Sequence, residues 1–211
     1  MTETTEPFSL DDFRQATGAP DPVIERLSVY AEILAKWQRR INLVGKATLG
    51  DLWRRHMMDS AQLFPLIPAS AKTLVDLGSG AGFPGLVLAV FGVPEVHLVE
   101  SDGRKCAFLQ EVARATATTV EIHRTRIEKT PPISADVVTA RACAPLVSLV
   151  EYAYPFIKTG SICLFPKGRN AQEELTESKK KWIMQVTRIK SVTDSQAEIL
   201  KLEDIGRRHE S

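Results

Sequence analysis

Asp76-Leu77-Gly78-Ser79-Gly80-Ala81-Gly82 is the stretch of this chain whose residue types most clearly suit ligand chemistry, and Glu100 follows Asp76 by 24 positions. Glycines that close a buried strand permit a tight turn and let the backbone approach a ligand closely. A carboxylate ending the next strand can accept hydrogen bonds from both hydroxyls of a ribose. Asp76, Gly78, Gly80 and Glu100 together therefore point to a nucleoside site. Taken alone, the glycine loop is weak evidence, because a plain strand-to-helix turn uses the same residues.

Two ligand classes share the acid on the second strand, so the glycines must separate them. A dinucleotide fingerprint reads G-x-G-x-x-G and would need its third glycine where Phe83 stands. The spacing here, G-x-G-x-G, resembles the loop of S-adenosylmethionine-dependent methyltransferases, whose ligand carries a sulfonium methionine in place of a pyrophosphate. An NAD-dependent dehydrogenase becomes the weaker alternative.

These residues need a scaffold. From Thr73 onward, short apolar runs alternate with helical segments, the pattern of a mostly parallel sheet. Strands are expected at Thr73 to Leu77, Val96 to Glu100, Val120 to His123, Asp136 to Ala140 and Ser161 to Phe165. A helix from Ala171 to Lys181 precedes two further strands, Met184 to Ser191 and Ala197 to Leu202, whose short connection favours an antiparallel hairpin. Upstream, Ile24, Leu27, Ala31, Leu34 and Trp37 recur at helical spacing over residues 21–40, and a second helix is expected over residues 49–64. The chain thus divides into a polar N-terminal tail (1–20), a helical appendage (21–68) and an α/β domain (69–211). The class expected is a Rossmann-like, class I methyltransferase fold with a C-terminal antiparallel hairpin.

Composition narrows the setting. Lys and Arg number 27 against 26 Asp and Glu, so no global field attracts a polyanion, and any nucleic-acid contact must be local. This balance also leaves open a methyltransferase acting on a small molecule or a protein. No apolar run approaches the roughly 18 residues of a membrane span, so no membrane association is expected. Met1 to Pro7 lack the character of a secretory signal. Cys106, Cys143 and Cys163 are scattered, suggesting neither disulfides nor a metal site, so the expectation is a cytoplasmic protein without metal. Cys143 is not in a Pro-Cys dipeptide, which argues against a cysteine nucleophile.

The loop continues through Phe83-Pro84-Gly85, and this longer string resembles the bacterial RsmG family, also called glucose-inhibited division protein B. Trp37, Asn42-Leu43-Val44, Arg55-His56, Asp59-Ser60, Glu100-Ser101, Lys105, Phe108-Leu109, Arg126-Ile127-Glu128, Arg141-Ala142 and Lys167-Gly168 extend the likeness across roughly Trp37 to Gly168. The resemblance implies methylation of a guanine at N-7 in 16S ribosomal RNA, within the small subunit or an assembly intermediate, by a monomer. It implies that Gly78, Phe83 and Ser101 meet the cofactor, that Ile127 and Glu128 lie beside its adenine, and that Arg141 completes the site. Arg141 and Lys167 are then the candidates to hold phosphate, guanine O6 or the cofactor carboxylate, and Phe165-Pro166 to wall the base. Arg54, Arg55, His56, Arg104, Lys105, Arg124, Arg126, Lys167, Arg207 and Arg208 are candidate RNA contacts. Some of them are expected to form one basic face around the crevice.

Overall fold

The computed structural model describes residues 8–208. Met1 to Pro7, the segment without secretory-signal character, lies outside the described residues. A seven-stranded sheet forms the centre, in the order β3-β2-β1-β4-β5-β7-β6. Its strands are β1 (Thr73–Leu77), β2 (Glu95–Glu100), β3 (Glu121–Arg124), β4 (Ala135–Thr139), β5 (Ile157–Lys167), β6 (Trp182–Lys190) and β7 (Glu198–Arg207). The first five run parallel, and β7 inserts antiparallel between β5 and β6. The order reverses between β1 and β4, which is where an open sheet of this kind leaves a crevice at the strands' carboxyl ends.

Period-two alternation splits the core into two layers. Leu74, Leu98, Val137 and Leu164 face one layer, with α5 (Gly85–Phe91) and α6 (Gly103–Ala115). Val75, Leu77, Val99, Val138 and Phe165 face the other, with α7 (Leu146–Ala153) and α8 (Ala171–Lys181). Strands buried on both faces read as near-continuous apolar runs, and this made β1, β2 and β4 visible. β5 and β7 are longer than expected because their extra residues, such as Lys158 and Glu203, are polar and carry no apolar alternation.

The N-terminal stretch differs from the expected tail. Residues Leu10–Thr17 form helix α1, whose N-cap Ser9 and Asp12 bond reciprocally in a capping box. Its Phe13 is fully buried and meets Trp53 at 5.3 Å and Phe91 at 6.4 Å between ring centroids. The helix is only two turns long, too short for Leu10, Phe13 and Ala16 to set up a clear period, yet burying Phe13 contributes about 1.5–3 kcal/mol.

Helix α2 (Asp21–Gln38) lies on the same layer as α5 and α6, and Ile24, Leu27, Tyr30 and Leu34 join their core. Trp37 clamps it, donating from Nε1 to Glu111 at 2.9 Å. Of the helix expected over 49–64, residues 52–61 are continuously helical, a π turn (Trp53–Met58) running directly into α4 (Asp59–Ala61); α3 (Lys46–Leu49) precedes it before Gly50, and a 3-10 turn (Phe64–Leu66) follows it.

Candidate active site

The glycine loop is held from behind. Asp76 is fully buried, and its Oδ1 accepts from the Thr139 hydroxyl at 2.8 Å. Burial pushes its carboxyl up to about 6, against the opposing pull of that hydroxyl. Gly85 opens α5 so close to β1 that an added Cβ would stand 2.6 Å from the Asp76 Cβ and from Leu98. Gly82 has φ +89°, and a Cβ there would stand 2.6 Å from the Tyr30 hydroxyl. That hydroxyl donates to the Ala81 carbonyl, and the Tyr30 ring stacks on Phe83 with centroids 5.3 Å apart. An element outside the α/β repeat therefore shapes the loop.

From β2, Glu100 reaches across to the same loop. Its Oε2 accepts from the Gly80 N–H at 2.9 Å and its Oε1 from the Asp102 N–H at 2.7 Å. Each oxygen keeps a further lone pair for a ligand hydroxyl. Asp102 caps α6, accepting from the backbone of Arg104 and Lys105.

The carboxyl ends of the strands border a crevice of about 580 Å³, within the range of small-molecule and cofactor sites. Gly78, Gly80, Phe83, Arg141 and Lys167 line it, as do Arg55, His56 and Lys105. Asp76 does not reach it, being sealed beneath the loop, so its contribution is to shape the backbone. Glu100 touches the crevice wall through Gly80. Ser101, Ile127 and Glu128 do not line it, although the 3-10 turn Ile127–Lys129 packs Ile127 against the α7 layer.

Arg141, expected to face a ligand anion, is instead committed to the protein. Its guanidinium donates to the Arg55 carbonyl at 2.8 Å, His56 Nδ1 at 2.7 Å and Asp59 Oδ2 at 3.2 Å. It also lies 5.0 Å from the Phe83 ring centroid, in a cation–π arrangement. One side chain thus ties the π turn to the glycine loop, and π turns are frequent at functional sites. Lys167 is likewise engaged, donating to the Ala144 carbonyl at 3.1 Å and pairing with Glu174 at 2.6 Å. It anchors the segment after β4 against α8.

His56 is not the phosphate-binding cation that its neighbours suggested. Burial, reinforced by the charges of Arg141 and Arg55, lowers its pKa to about 3. The neutral ring accepts from Arg141 at Nδ1, which leaves Nε2–H to donate to Thr48 Oγ1 at 2.8 Å.

The other basic candidates divide by position. Arg104, Arg124 and Arg126 stand at or after the carboxyl ends of β2 and β3 but do not line the crevice; Arg104 pairs with Asp102, and Arg124 packs over Gly103 at the start of α6. Arg54 turns to Asp51 and the Phe8 ring. Arg207 and Arg208 lie at the opposite end of the strands from the crevice, because β7 starts beside Lys167 and runs away from it. There Arg207 stacks on Trp182 and Tyr154 and pairs with Glu151. A single basic face does not include them. Phe165 is fully buried in the core and cannot wall a base, whereas Pro166 does line the crevice.

The sequence reading missed Tyr30, Asp59, Thr193 and Asp194 as parts of the site. Tyr30 sits on the apolar stripe of α2, and its only signal is that a buried tyrosine hydroxyl needs a partner. Thr193 donates to Asp59 and Asp194 pairs with Arg55 at 3.1 Å, across about 130 positions of sequence. Cys143 lies against Gly78; although the residue is exposed, partial desolvation of its thiol and the nearby Asp76 and Glu100 carboxylates raise its pKa, the opposite of nucleophile activation.

A seven-stranded sheet with an antiparallel β7, a glycine loop bonded by the acid of β2, and a crevice at the switch point define a class I S-adenosylmethionine-dependent methyltransferase. Solved structures agree on the fold. The ribosomal protein L11 methylase of Lactobacillus delbrueckii subsp. bulgaricus superposes with a TM-score of 0.57 at 14% identity, covering 71% of this chain and 79% of that one. A putative S-adenosyl-L-methionine-dependent methyltransferase from Methanococcus maripaludis gives 0.56 at 11% identity and covers 96% of both chains. Sequence relatives go further. Ribosomal RNA small subunit methyltransferase G of Paramagnetospirillum magneticum is 58% identical over 191 residues, 90% of this chain and 93% of the relative. Its namesake in Rhodospirillum centenum is 51% identical over 201 residues, 95% and 93% respectively. The family model GidB, rRNA small subunit methyltransferase G, matches residues 23–202, and the chain belongs to that family.

Proposed function

We propose that this chain transfers the methyl group of S-adenosylmethionine to N-7 of a guanine in 16S ribosomal RNA. We further infer that it acts as a cytoplasmic monomer on the small subunit or an assembly intermediate. The carrying observation is a crevice with two unlike walls: the glycine loop braced by Glu100, and a rim bearing Arg55, Lys105, Arg141 and Lys167.

The residues present suit the cofactor. Gly78 and Gly80 offer backbone to it, Glu100 retains lone pairs for ribose hydroxyls, and Phe83 presents a ring edge stiffened by Tyr30. Ser101, Ile127 and Glu128 would close its adenine end. Bound there, S-adenosylmethionine supplies an electrophilic sulfonium methyl.

Guanine N-7 carries an in-plane lone pair and is unprotonated at neutral pH, so no residue has to remove a proton. His56 is accordingly free to spend both ring nitrogens on Arg141 and Thr48. The chain's work is alignment, which contributes roughly 7–11 kcal/mol in well-oriented cases. Arg141 and Lys167 act as positioning residues, holding the π turn and the segment after β4. An arginine donating to N-7 would block the attacking lone pair, so their engagement with protein acceptors favours the reaction. Lys105 remains on the rim for phosphates, while Asp194 holds Arg55 beside it. No described helix is long and apolar enough to cross a membrane.

Incubation with labelled S-adenosylmethionine and small subunits lacking the modification, followed by mapping of the label, tests this reading. A single methylated guanine, modified at N-7, is the expected result; label at another atom or base would overturn it.

A further inference from the structure

On the opposite flank of the sheet, away from the crevice rim, four side chains converge that the reaction does not use. The β2–β3 register sets His97 opposite Glu121 and Val99 opposite His123. With a side-chain period of two, Glu95, His97, Glu121 and His123 all project from the same face. We propose that His97, His123 and Glu121 bind a divalent transition-metal ion, zinc being the best chemical match, as a clip between β2 and the edge strand β3.

The distances fit such an ion. His97 Nδ1 lies 3.0 Å from His123 Nε2 and 3.4 Å from Glu121 Oε2. His123 Nε2 stands 3.7 Å from Glu121 Oε1. Tetrahedral zinc with bonds of about 2.0–2.1 Å sets its ligand atoms about 3.3 Å apart. All the candidate ligand atoms fall within 4.8 Å of one another.

Hydrogen-bond accounting points the same way. His97 Nε2 faces Glu95 Oε1 at 3.2 Å, and a carboxylate can only accept, so Nε2 carries the proton. His97 Nδ1 faces both His123 Nε2 and a Glu121 oxygen, so three ligand-type atoms converge on one point that a cation bridges. The Glu95–His97 contact is also the carboxylate–histidine arrangement that orients metal-bound imidazoles. Glu95 is itself fixed by the Thr73 hydroxyl at 2.7 Å.

Two imidazoles and one carboxylate select zinc over magnesium or calcium, which prefer all-oxygen sets. The His97, His123 and Glu121 side chains are 7%, 19% and 65% exposed, so an ion can enter and water can fill the fourth position. The role is structural. Among the described residues β3 has four residues and pairs with β2 alone before leading into the turn Ile127–Lys129. A short edge strand of this kind opens easily.

The test uses the full chain, stripped with a chelator and titrated with zinc chloride by calorimetry, with thermal melts alongside. One zinc per chain and a raised melting temperature are expected, since an ion that binds only the folded state stabilises it. Glu95→Gln should weaken binding about 10–100-fold, as loss of an orienting carboxylate does. His123→Gln should abolish stoichiometric binding; if it fails to fold, the exposed Glu121→Gln serves in its place. Absence of stoichiometric zinc binding by the parent protein, or unchanged affinity in the ligand variants, overturns the proposal and leaves a proton shared by the histidine pair.

Discussion

The two walls of the crevice are built on opposite principles. The cofactor wall is local: Asp76, Gly80, Gly85 and Glu100 lie within 25 consecutive residues and meet through backbone contacts of two adjacent strands. The rim wall is assembled from a distance, with Arg141 after β4 clasping the π turn, and Asp194 of the β6–β7 turn clasping Arg55. Their buried titratable groups also shift in opposite directions. Asp76 is pushed up to about 6 and His56 down to about 3, in both cases chiefly because burial disfavours the charged form. The protein thus forms one wall as a fixed part of its fold, and holds the other in place with a few charged side chains.

Breaking the cofactor wall should have the largest effect. Glu100→Ala removes the acceptor for two backbone N–H groups and for the ligand ribose. At about 1.5–3 kcal/mol for hydrogen bonds to a charged group, affinity for S-adenosylhomocysteine should fall about 10–100-fold by calorimetry.

The opposite pKa shifts separate the walls by pH. His56 has a depressed folded pKa, so its contribution to stability is full above about 6.5 and is lost as pH falls toward 3. Asp76 has a raised folded pKa, so its contribution is full below about 3.8 and is lost as pH rises through about 6. Urea unfolding across this window should show a shallower acid-side loss in His56→Gln than in the parent, and a shallower decline between pH 4 and 6 in Asp76→Asn.

A smaller effect belongs to the hydroxyl that joins the N-terminal helices to the loop. Tyr30→Phe keeps the stack on Phe83 but leaves the Ala81 carbonyl without its donor, so chemical denaturation should report a loss of about 1 kcal/mol. The smallest effect is expected at the end of the sheet opposite the crevice. Arg207→Ala should leave methyl transfer to subunits and its salt dependence unchanged, whereas Lys105→Ala on the rim should weaken substrate binding and reduce the salt slope.

Legibility in the sequence followed the same division. The strands, α8 and the glycine loop with Glu100 were readable because apolar runs and turn residues act over a few positions. Helix α1 was missed because eight residues are too few for Leu10 and Phe13 to mark a period. Arg141 and Lys167 were found as residues, but not their partners: nothing local to Arg141 signals His56 or Asp59, over 80 positions away. His97 and His123 stand 26 residues apart on separate strands, so their convergence depends on the register of β2 against β3.

The division of labour between the walls is tested most directly by Arg141→Ala, with single-turnover methyl transfer to subunits measured beside affinity for S-adenosylhomocysteine. Displacing the π turn should slow transfer about 100-fold, the scale of a misplacement near 1 Å, while cofactor affinity changes little. A normal transfer rate with normal binding would contradict the account.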